Sequence, residues 1–176
     1  MAKNCLNKLA SNITVACTIT PVGVRDIYLM HAEDVTFTHN APGILSTAEF
    51  AVGAKPYKIE GYKQNIQVTT SLKTTDASAR VDSSVTFKIL YITNYATLSF
   101  INSVASGTFY VFVVFNDGDY TMLGNTAPLE CSSVEFDSNA NARMVTFTLA
   151  SPEGSAGNSV TAVAPTVRDT IISKSV

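Results

Sequence analysis

The chain has 176 residues, of which 46% are apolar and 15% are charged, and its formal net charge is −2. This length allows one ordinary domain with a proper core, and the apolar content excludes disorder over the whole length. Lysine and arginine form no cluster, which argues against a surface that binds nucleic-acid phosphates. A neutral, polar exterior favours a chain that buries much of its surface against neighbours.

The amino-terminal segment lacks the uninterrupted apolar core of a signal peptide, and no apolar run approaches the roughly 20 residues of a membrane span. We therefore expect a protein that is made and folded in a cytoplasm and has no membrane span. The three cysteines, Cys5, Cys17 and Cys131, have no metal-ligand spacing. Reduced structural thiols are the expectation, and a Cys5–Cys17 bridge that ties down the amino terminus is the alternative.

Alternating or continuous apolar runs predict several short strands in the first third of the chain. The strand candidates are Asn12–Ile19, Val24–His31, Val35–Thr38, Ile44–Val52 and Pro56–Gly61. The segment Asn40-Ala41-Pro42-Gly43 has the composition of a turn, because proline presets φ and glycine tolerates positive φ.

The most informative stretch runs from Asn65 to Ile92. Apolar and polar residues alternate from residue 65 to 72 and again from residue 85 to 92, which predicts two long amphipathic strands. The polar segment Lys73–Ser84 between them is much longer than the usual hairpin loop of two to five residues. We therefore predict an extended β-hairpin arm with a long polar loop.

The arm carries charges of both signs, at Lys73, Asp76, Arg80 and Asp82. In an assembly these residues would pair with the next subunit and set its register, a role in which charge supplies specificity more than affinity. The alternative is that they only solvate an exposed loop.

One helix is predicted over residues 95–106, with Asn94 as its N-cap and Gly107 as its C-terminal cap. The next segment, Thr108–Phe115, is apolar on both faces, which predicts a central strand covered on both sides. The domain itself or an adjacent subunit would supply the second cover. Asp-Gly within Asn116–Asp119 predicts a tight hairpin turn. The remaining strand candidates are Asp119–Leu123, Ser132–Phe136 and Arg143–Ala150.

These elements predict an all-β fold, an antiparallel β-sandwich or barrel over residues 1–150 with one packed α-helix and the extended hairpin arm. Residues 151–176 change in character, because Ser151–Asn158 has the composition of a flexible linker. Beyond it, Val167–Ile172 is a candidate for one more strand. We expect a tail that either pairs with a neighbouring subunit or frays.

No set of residues indicates catalysis. His31, Asp34 and His39 are the only conceivable metal set, but their spacing matches no established ligand pattern. Asp117 and Asp119 straddle the predicted turn, which favours turn formation over acid–base chemistry. The chain contains neither a Gly-x-Ser-x-Gly elbow nor a glycine-rich phosphate loop. We therefore expect neither an enzyme nor a cofactor or metal site.

Three short segments carry a family resemblance. Val24–Leu29, continued by Glu33-Asp34-Val35, resembles an early strand and turn of that family. Gly118–Gly124 is similar to its Gly-x-Tyr-x-Leu-Leu-Gly stretch, although Pro128 stands where the family has glycine. Arg143–Leu149, followed by Pro152-Glu153, resembles the closing strand. The family is the tail-tube class of structural proteins from phages that infect Bacteroidetes hosts.

This resemblance implies a β-sandwich or barrel with one helix and an extended hairpin arm, assembled as hexameric rings that stack into a hollow tube. It implies a virion location in the tail after synthesis in the bacterial cytoplasm. The implied partners are other copies of the chain and other tail or capsid proteins, with DNA only as non-specific passing cargo.

Two alternatives have other modes of action. One is a different virion component, such as a tail terminator, a connector ring or a capsid decoration protein. The other is a monomeric binding module, against which the absence of tryptophan argues mildly.

Overall fold

A computed structural model describes residues 6–8, 12–14, 23–41, 44–61, 65–75, 78–90, 95–125, 127–137, 144–152 and 161–175. The first strands are β1 (Leu6–Lys8), β2 (Asn12–Thr14), β3 (Val24–His31), β4 (Val35–Ala41), β5 (Ile44–Phe50) and β6 (Tyr57–Glu60). The hairpin strands β7 (Ile66–Thr75) and β8 (Ser78–Leu90) follow, and then α1 (Tyr95–Ser106). The chain continues through β9 (Thr108–Phe115), β10 (Tyr120–Leu123), β11 (Leu129–Asp137), β12 (Met144–Ala150), β13 (Ala162–Val163) and α2 (Pro165–Lys174).

The main sheet has the order β6-β3-β9-β11-β12-β8-β7, and β10 pairs with β9 beside β11. Every pair in this sheet is antiparallel. Strand β11 meets β9 only at Leu129 and Glu130, so the sheet consists of two halves joined at one corner. A small sheet of order β13-β5-β4 and the hairpin β1-β2 complete the described strands.

The two halves of the main sheet enclose a first core. Buried side chains of β3, β6 and β9 face those of β7, β8 and β12 across it. At its centre the Phe87 and Phe147 rings stack with centroids 5.1 Å apart, and Phe100 of α1 meets Phe147 edge-on at 6.0 Å. Helix α1 therefore closes one end of this core, and the structure confirms the helix predicted over residues 95–106.

A second core lies on the other face of β3 and β9. Here Tyr28, Met30 and Phe112 are buried beneath the small sheet and α2, which contributes Val167 and Ile171. The prediction that Thr108–Phe115 is covered on both faces is confirmed, and both covers come from the same chain.

The predicted fold class is confirmed as a mostly antiparallel all-β sandwich with a packed helix. The bounds of β3 and β9 are those expected from the sequence. At the predicted Asp-Gly turn, Gly118 has φ +94° and the Asp119 amide donates to Asp117 Oδ1 at 3.0 Å. Asp117 therefore stabilises the turn, as expected. Within the described part of the chain, no helix is long and apolar enough to cross a membrane.

The prediction of a long polar loop over Lys73–Ser84 is wrong. Strands β7 and β8 pair in unbroken register from Ile66↔Phe87 to Thr75↔Ser78, so most of that segment is strand. Thr74, Thr75 and Val81 are the β-branched residues of this part of the ladder, and only residues 76 and 77 separate the two strands. The hairpin arm is consequently a longer paired ribbon than the sequence indicated.

The expectation of a strand over Val167–Ile172 is also wrong, because these residues lie in α2. Pro165 occupies the first turn of this helix, where its missing N–H costs no hydrogen bond. The preceding strand β13 pairs in parallel with β5. Residues 161–175 are thus packed on the second core of their own chain, and residues 153–160 of the expected linker lie outside the described residues.

Two smaller expectations have mixed outcomes. Gly107 follows α1 as predicted, but its φ is outside the left-handed region. Its smallness is needed because a Cβ there would lie 2.6 Å from Phe109 Cζ. Asn94, the predicted N-cap, lies outside the described residues, as do residues 15–19 of the first predicted strand.

Burial of α2 generates a stability test. We expect Ile171→Ala to lower the free energy of unfolding by about 2–5 kcal/mol, because Ile171 is fully buried in the second core. The matched control Ser173→Ala, on the exposed side of α2, should change it by less than about 0.5 kcal/mol. Urea denaturation monitored by circular dichroism measures both. Equal small effects would contradict the packing of α2 on the second core.

Candidate assembly surface

Strand β7 forms one edge of the main sheet and is ten residues long. It contains no proline, and Lys73 is its only charged residue. Edge strands of soluble proteins are usually short, charged or interrupted, since an unprotected edge is a template for another strand. Strand β7 has none of these protections along Ile66–Leu72.

In an antiparallel pair, every second residue of a strand bonds to the partner strand, and the residues between them direct their backbone groups away from it. This alternation, here called parity, identifies the backbone groups that the β7 edge presents. The Lys88 amide donates to the Asn65 carbonyl at 3.0 Å, which fixes the bonded pairs of the antiparallel ladder. Thr69, four residues along in the same register, therefore bonds to β8, and Thr70 directs its N–H and C=O away from the sheet. The same parity applies to Val68 and Leu72, which gives a row of outward backbone groups.

The ribbon formed by β7 and β8 extends past the end of β12. Strand β12 pairs with β8 only as far as Ser84, and Ser151 adds bonds between its amide and hydroxyl and Ser83. From Ser71↔Asp82 to Thr75↔Ser78 the strand pairing among the described residues is between β7 and β8 alone. This outer part of the ribbon is therefore two-stranded, with a backbone edge on each side.

The four charged residues proposed for the arm lie on or next to this ribbon. Backbone register places Lys73 opposite Arg80, and Asp82 opposite Ser71. Asp76 lies outside the described residues. The structure thus brings Lys73 and Arg80 to one position of the ladder and places Asp82 two residues closer to the sheet.

The opposite edge of the main sheet, β6, has a different character. It has four residues, and its Lys58 lies 2.9 Å from Glu60 Oε1 and 3.6 Å from Asp26 Oδ1. Asp26 is buried and also accepts from Arg25 Nε at 3.0 Å. The hydrogen bond to Glu60 raises the pKa of Lys58. Charged side chains on so short a strand protect this edge against the addition of another strand.

A cavity of about 420 Å³ opens beside β6, where α1 meets β3 and β9. It is lined by Leu29, His31, Tyr57, Ser99, Phe100, Ser103, Val104 and Phe109. The His31 ring packs 4.6 Å from the Phe109 ring and 6.2 Å from the Tyr57 ring. These lining residues were not predicted, because only the folded sheet brings them together.

The two histidines that were considered for a metal site contact different groups. His31 faces aromatic rings, whereas His39 Nε2 bonds Asn125 Oδ1 at 2.9 Å. Asn125 Nδ2 in turn donates to Thr161 Oγ1, so its oxygen must accept and His39 Nε2 must be the donor. Within the described ranges no three His, Cys, Asp or Glu side chains form a metal-binding group.

Cys131 is a free, half-buried thiol whose Sγ lies 3.6 Å from the Ser133 carbonyl oxygen. Burial raises the pKa of this thiol, and the Ser133 contact partly opposes the increase. Cys5 and Cys17 lie outside the described residues, so their proposed bridge stays a prediction.

Comparison of the chain with protein-family models, curated proteins and solved structures finds no match. The family resemblance noted from the sequence therefore remains an expectation, and the surface must be interpreted from its own geometry.

Because Thr69 bonds to β8 and its neighbour Thr70 does not, proline at these two positions gives a matched pair of variants. We expect Thr70→Pro to leave the monomer folded, because it deletes an outward N–H, and to block strand addition at this edge. Thr69→Pro should destabilise the fold by about 1–3 kcal/mol, because it deletes an amide bonded to β8. Circular dichroism and sedimentation velocity measure the two effects. Equal destabilisation by both variants would contradict the assigned parity.

Tyr28 gives the fold a pH dependence. Burial, followed by the nearby Asp26 carboxylate, raises its pKa above that of the unfolded chain, about 10. Its stabilising contribution is therefore complete below pH 10 and is lost as pH rises through the folded pKa. We expect Tyr28→Phe to lose less stability than the wild type between about pH 9 and 12. Urea denaturation at both pH values tests this, and parallel losses would contradict it.

Proposed function

We propose that this chain is a structural subunit that assembles with copies of itself, and that it forms the tail tube of a phage virion. The observation that carries this proposal is the β7 edge, which is long, lacks protection along most of its length and continues into a projecting ribbon. A monomeric protein with such an edge would be prone to aggregation, whereas in a subunit the edge serves as an interface.

The mode of assembly follows from the two unequal edges. Strand β7 of one copy would extend the sheet of the next, so that sheets join edge to edge around a ring. Because one surface of a subunit meets a different surface of its neighbour, the contact closes into a ring or continues as a filament. The resemblance to tail-tube proteins favours six copies per ring and stacked rings.

The ribbon would then contact a neighbouring ring or subunit. Its charged positions, Lys73, Asp76, Arg80 and Asp82, are suited to setting register, since paired charges give specificity more than affinity. In the tube, DNA would pass as non-specific cargo, and the slight negative charge of the chain would limit its adhesion to the wall. Other tail or capsid proteins would bind the ends of the tube.

The test is negative-stain electron microscopy of the purified protein over a concentration series, together with its solution mass. Hollow tubes of uniform width support the full proposal. Isolated rings support the other virion components instead, namely a tail terminator, a connector ring or a decoration protein. A monomer that persists at high concentration contradicts self-assembly and favours a binding module.

The arm has its own test. We expect the combined charge reversal Arg80→Glu and Asp82→Lys to prevent tube formation, because it inverts the charges that would meet the neighbour. The monomer should keep its circular dichroism spectrum and thermal transition. The matched control Lys88→Glu alters a charge on β8 that lies within the main sheet, away from the ribbon, and should leave tubes unchanged. Normal tubes from the arm variant would show that the ribbon charges do not set register.

A further inference from the structure

The small sheet ends in a strand that carries no charge. Strand β4 is the end strand of this sheet, and among the described residues it pairs only with β5. From Val35 to Ala41 it contains no lysine, arginine, aspartate, glutamate or proline. Register shifts begin after Thr38, so the regular part of the strand is Val35–Thr38, which we call the β4 edge. Like β7, it lacks the charged side chains that usually protect an edge strand.

Parity identifies the backbone groups that the β4 edge presents. The Ala51 amide donates to the Asp34 carbonyl at 2.9 Å, so Asp34 and every second residue after it bond to β5. Val35 and Phe37 therefore direct their N–H and C=O away from the small sheet. The side chains of both residues pack in the second core. In β4, the residues with outward backbone groups are thus the residues with core-facing side chains.

Strand β7 combines parity and burial in the same way. Its outward residues include Ile66 and Val68, whose side chains pack in the first core. Gln67 and Thr69, which bond to β8, have exposed side chains. Outward residues of two antiparallel edges lie directly opposite each other when the edges join, and opposite residues share a face. Pairing of β4 with β7 would therefore set core-facing side chains against core-facing ones, and exposed side chains against exposed ones.

Strand β6, the other end of the main sheet, does not match β7 in this way. The Gly61 amide donates to the Arg25 carbonyl at 2.6 Å, so the outward residues of β6 are Lys58 and Glu60. Addition of β7 at this edge would place these charged residues directly opposite apolar ones such as Val68. Two β7 edges also match each other, but that contact is symmetric and closes as a dimer, whereas a ring or tube needs two different surfaces.

The contacts of β7 within its own chain limit the register of such a pair. Asn65 Nδ2 donates to the carbonyl of the last residue of β6 at 3.3 Å, so the start of β7 lies beside β6 and its open edge begins further along. The register that uses this open part sets the exposed Thr36 opposite the exposed Thr69. It also sets Phe37 opposite Val68. Threonine pairs and aromatic–β-branched pairs are both favourable across antiparallel strands.

Charge agrees with the antiparallel direction. Glu33 and Asp34 immediately precede β4, and neither forms an ion pair within the described part of the chain. Lys73 is the only charged residue of β7 and lies towards its carboxyl end. In an antiparallel pair the amino-terminal end of β4 meets this end of β7, so Lys73 comes beside the two carboxylates. Opposite charges at one end of a contact favour a single direction and register.

We propose that the β4 edge of one copy accepts β7 of the next copy as an antiparallel strand, with Thr36 opposite Thr69. This inference rests on the proposed function and names the surface of the neighbour to which the β7 edge binds. Because the contact joins two different strands, each bound copy keeps one of the two edges open for a further copy. Assembly therefore continues to a ring or a filament.

Cysteine cross-linking tests the register directly. The two threonines would form a non-hydrogen-bonded pair, whose Cα atoms lie about 4.5 Å apart and can be bridged by a disulfide. One chain carries Thr36→Cys and another carries Thr69→Cys, each with its three native cysteines replaced by serine. Mild oxidation of the mixture should give a cross-linked dimer on a non-reducing gel, and neither chain alone should give one. Thr47→Cys, at an exposed position of β5, replaces Thr36→Cys as the matched control and should not cross-link.

A pair of charge variants gives a second measurement at the same two exposed positions. Thr36→Lys combined with Thr69→Lys would set like charges opposite each other in the assembly, whereas Thr36→Lys combined with Thr69→Glu would set opposite charges there. Both chains should keep the circular dichroism spectrum and thermal transition of the wild type. We expect the critical concentration for assembly to be about fivefold higher for the Lys–Lys chain than for the Lys–Glu chain.

The outcomes separate this inference from the proposed function. A wild-type protein that never assembles overturns both. If the wild type assembles but the Thr36→Cys and Thr69→Cys chains do not cross-link, the inference is overturned while self-assembly stands. Cross-linking of the Thr69→Cys chain with itself would show a symmetric β7 contact and would also overturn it. Equal critical concentrations for the two charge variants would contradict the register.

Discussion

Burial of β9 on both faces is the constraint from which the rest of the architecture follows. A strand with Phe112 on one face and Val113 on the other needs two apolar covers, and neither can be water. One cover is the second half of the main sheet with α1, and the other is the small sheet with α2. The chain thus uses both of its described helices and its small sheet to cover a single strand.

Both covers come from the same chain, and among the described residues β6 and β7 are the end strands of the main sheet. Strand β6 is short and charged, whereas β7 presents a long row of backbone donors and acceptors and continues into the ribbon. An asymmetric pair of edges suits head-to-tail assembly better than a symmetric dimer.

The elements that could be predicted are those whose pattern reflects burial. Alternation and continuous apolar runs located β3 and β9, and helical spacing located α1. The pairing of the ribbon was missed because residues 73–84 are mostly polar or small, so the period-two pattern fades although the strands continue. Helix α2 was missed because it buries only Val167 and Ile171, and β-branched residues around them suggest a strand.

The candidate surface was less predictable than the fold. The charges of the ribbon are visible in the sequence, but an unprotected edge depends on which strands remain without a neighbour. Val134 and Phe136 of β11 are a further example, since they have the spacing of core residues and are exposed in the folded chain. Pro165 at the start of α2 was the one local signal that could have corrected the prediction for the tail.

Hydrogen exchange at the β7 edge measures the central claim, self-assembly through backbone pairing, most directly. The amides of Val68 and Thr70 should exchange rapidly in dilute monomer and become protected when the concentration is raised into the assembly range. The Thr69 amide, bonded to β8, should be protected in both states. If the protein assembles while the Val68 and Thr70 amides still exchange rapidly, assembly does not use this edge, and the central claim is wrong.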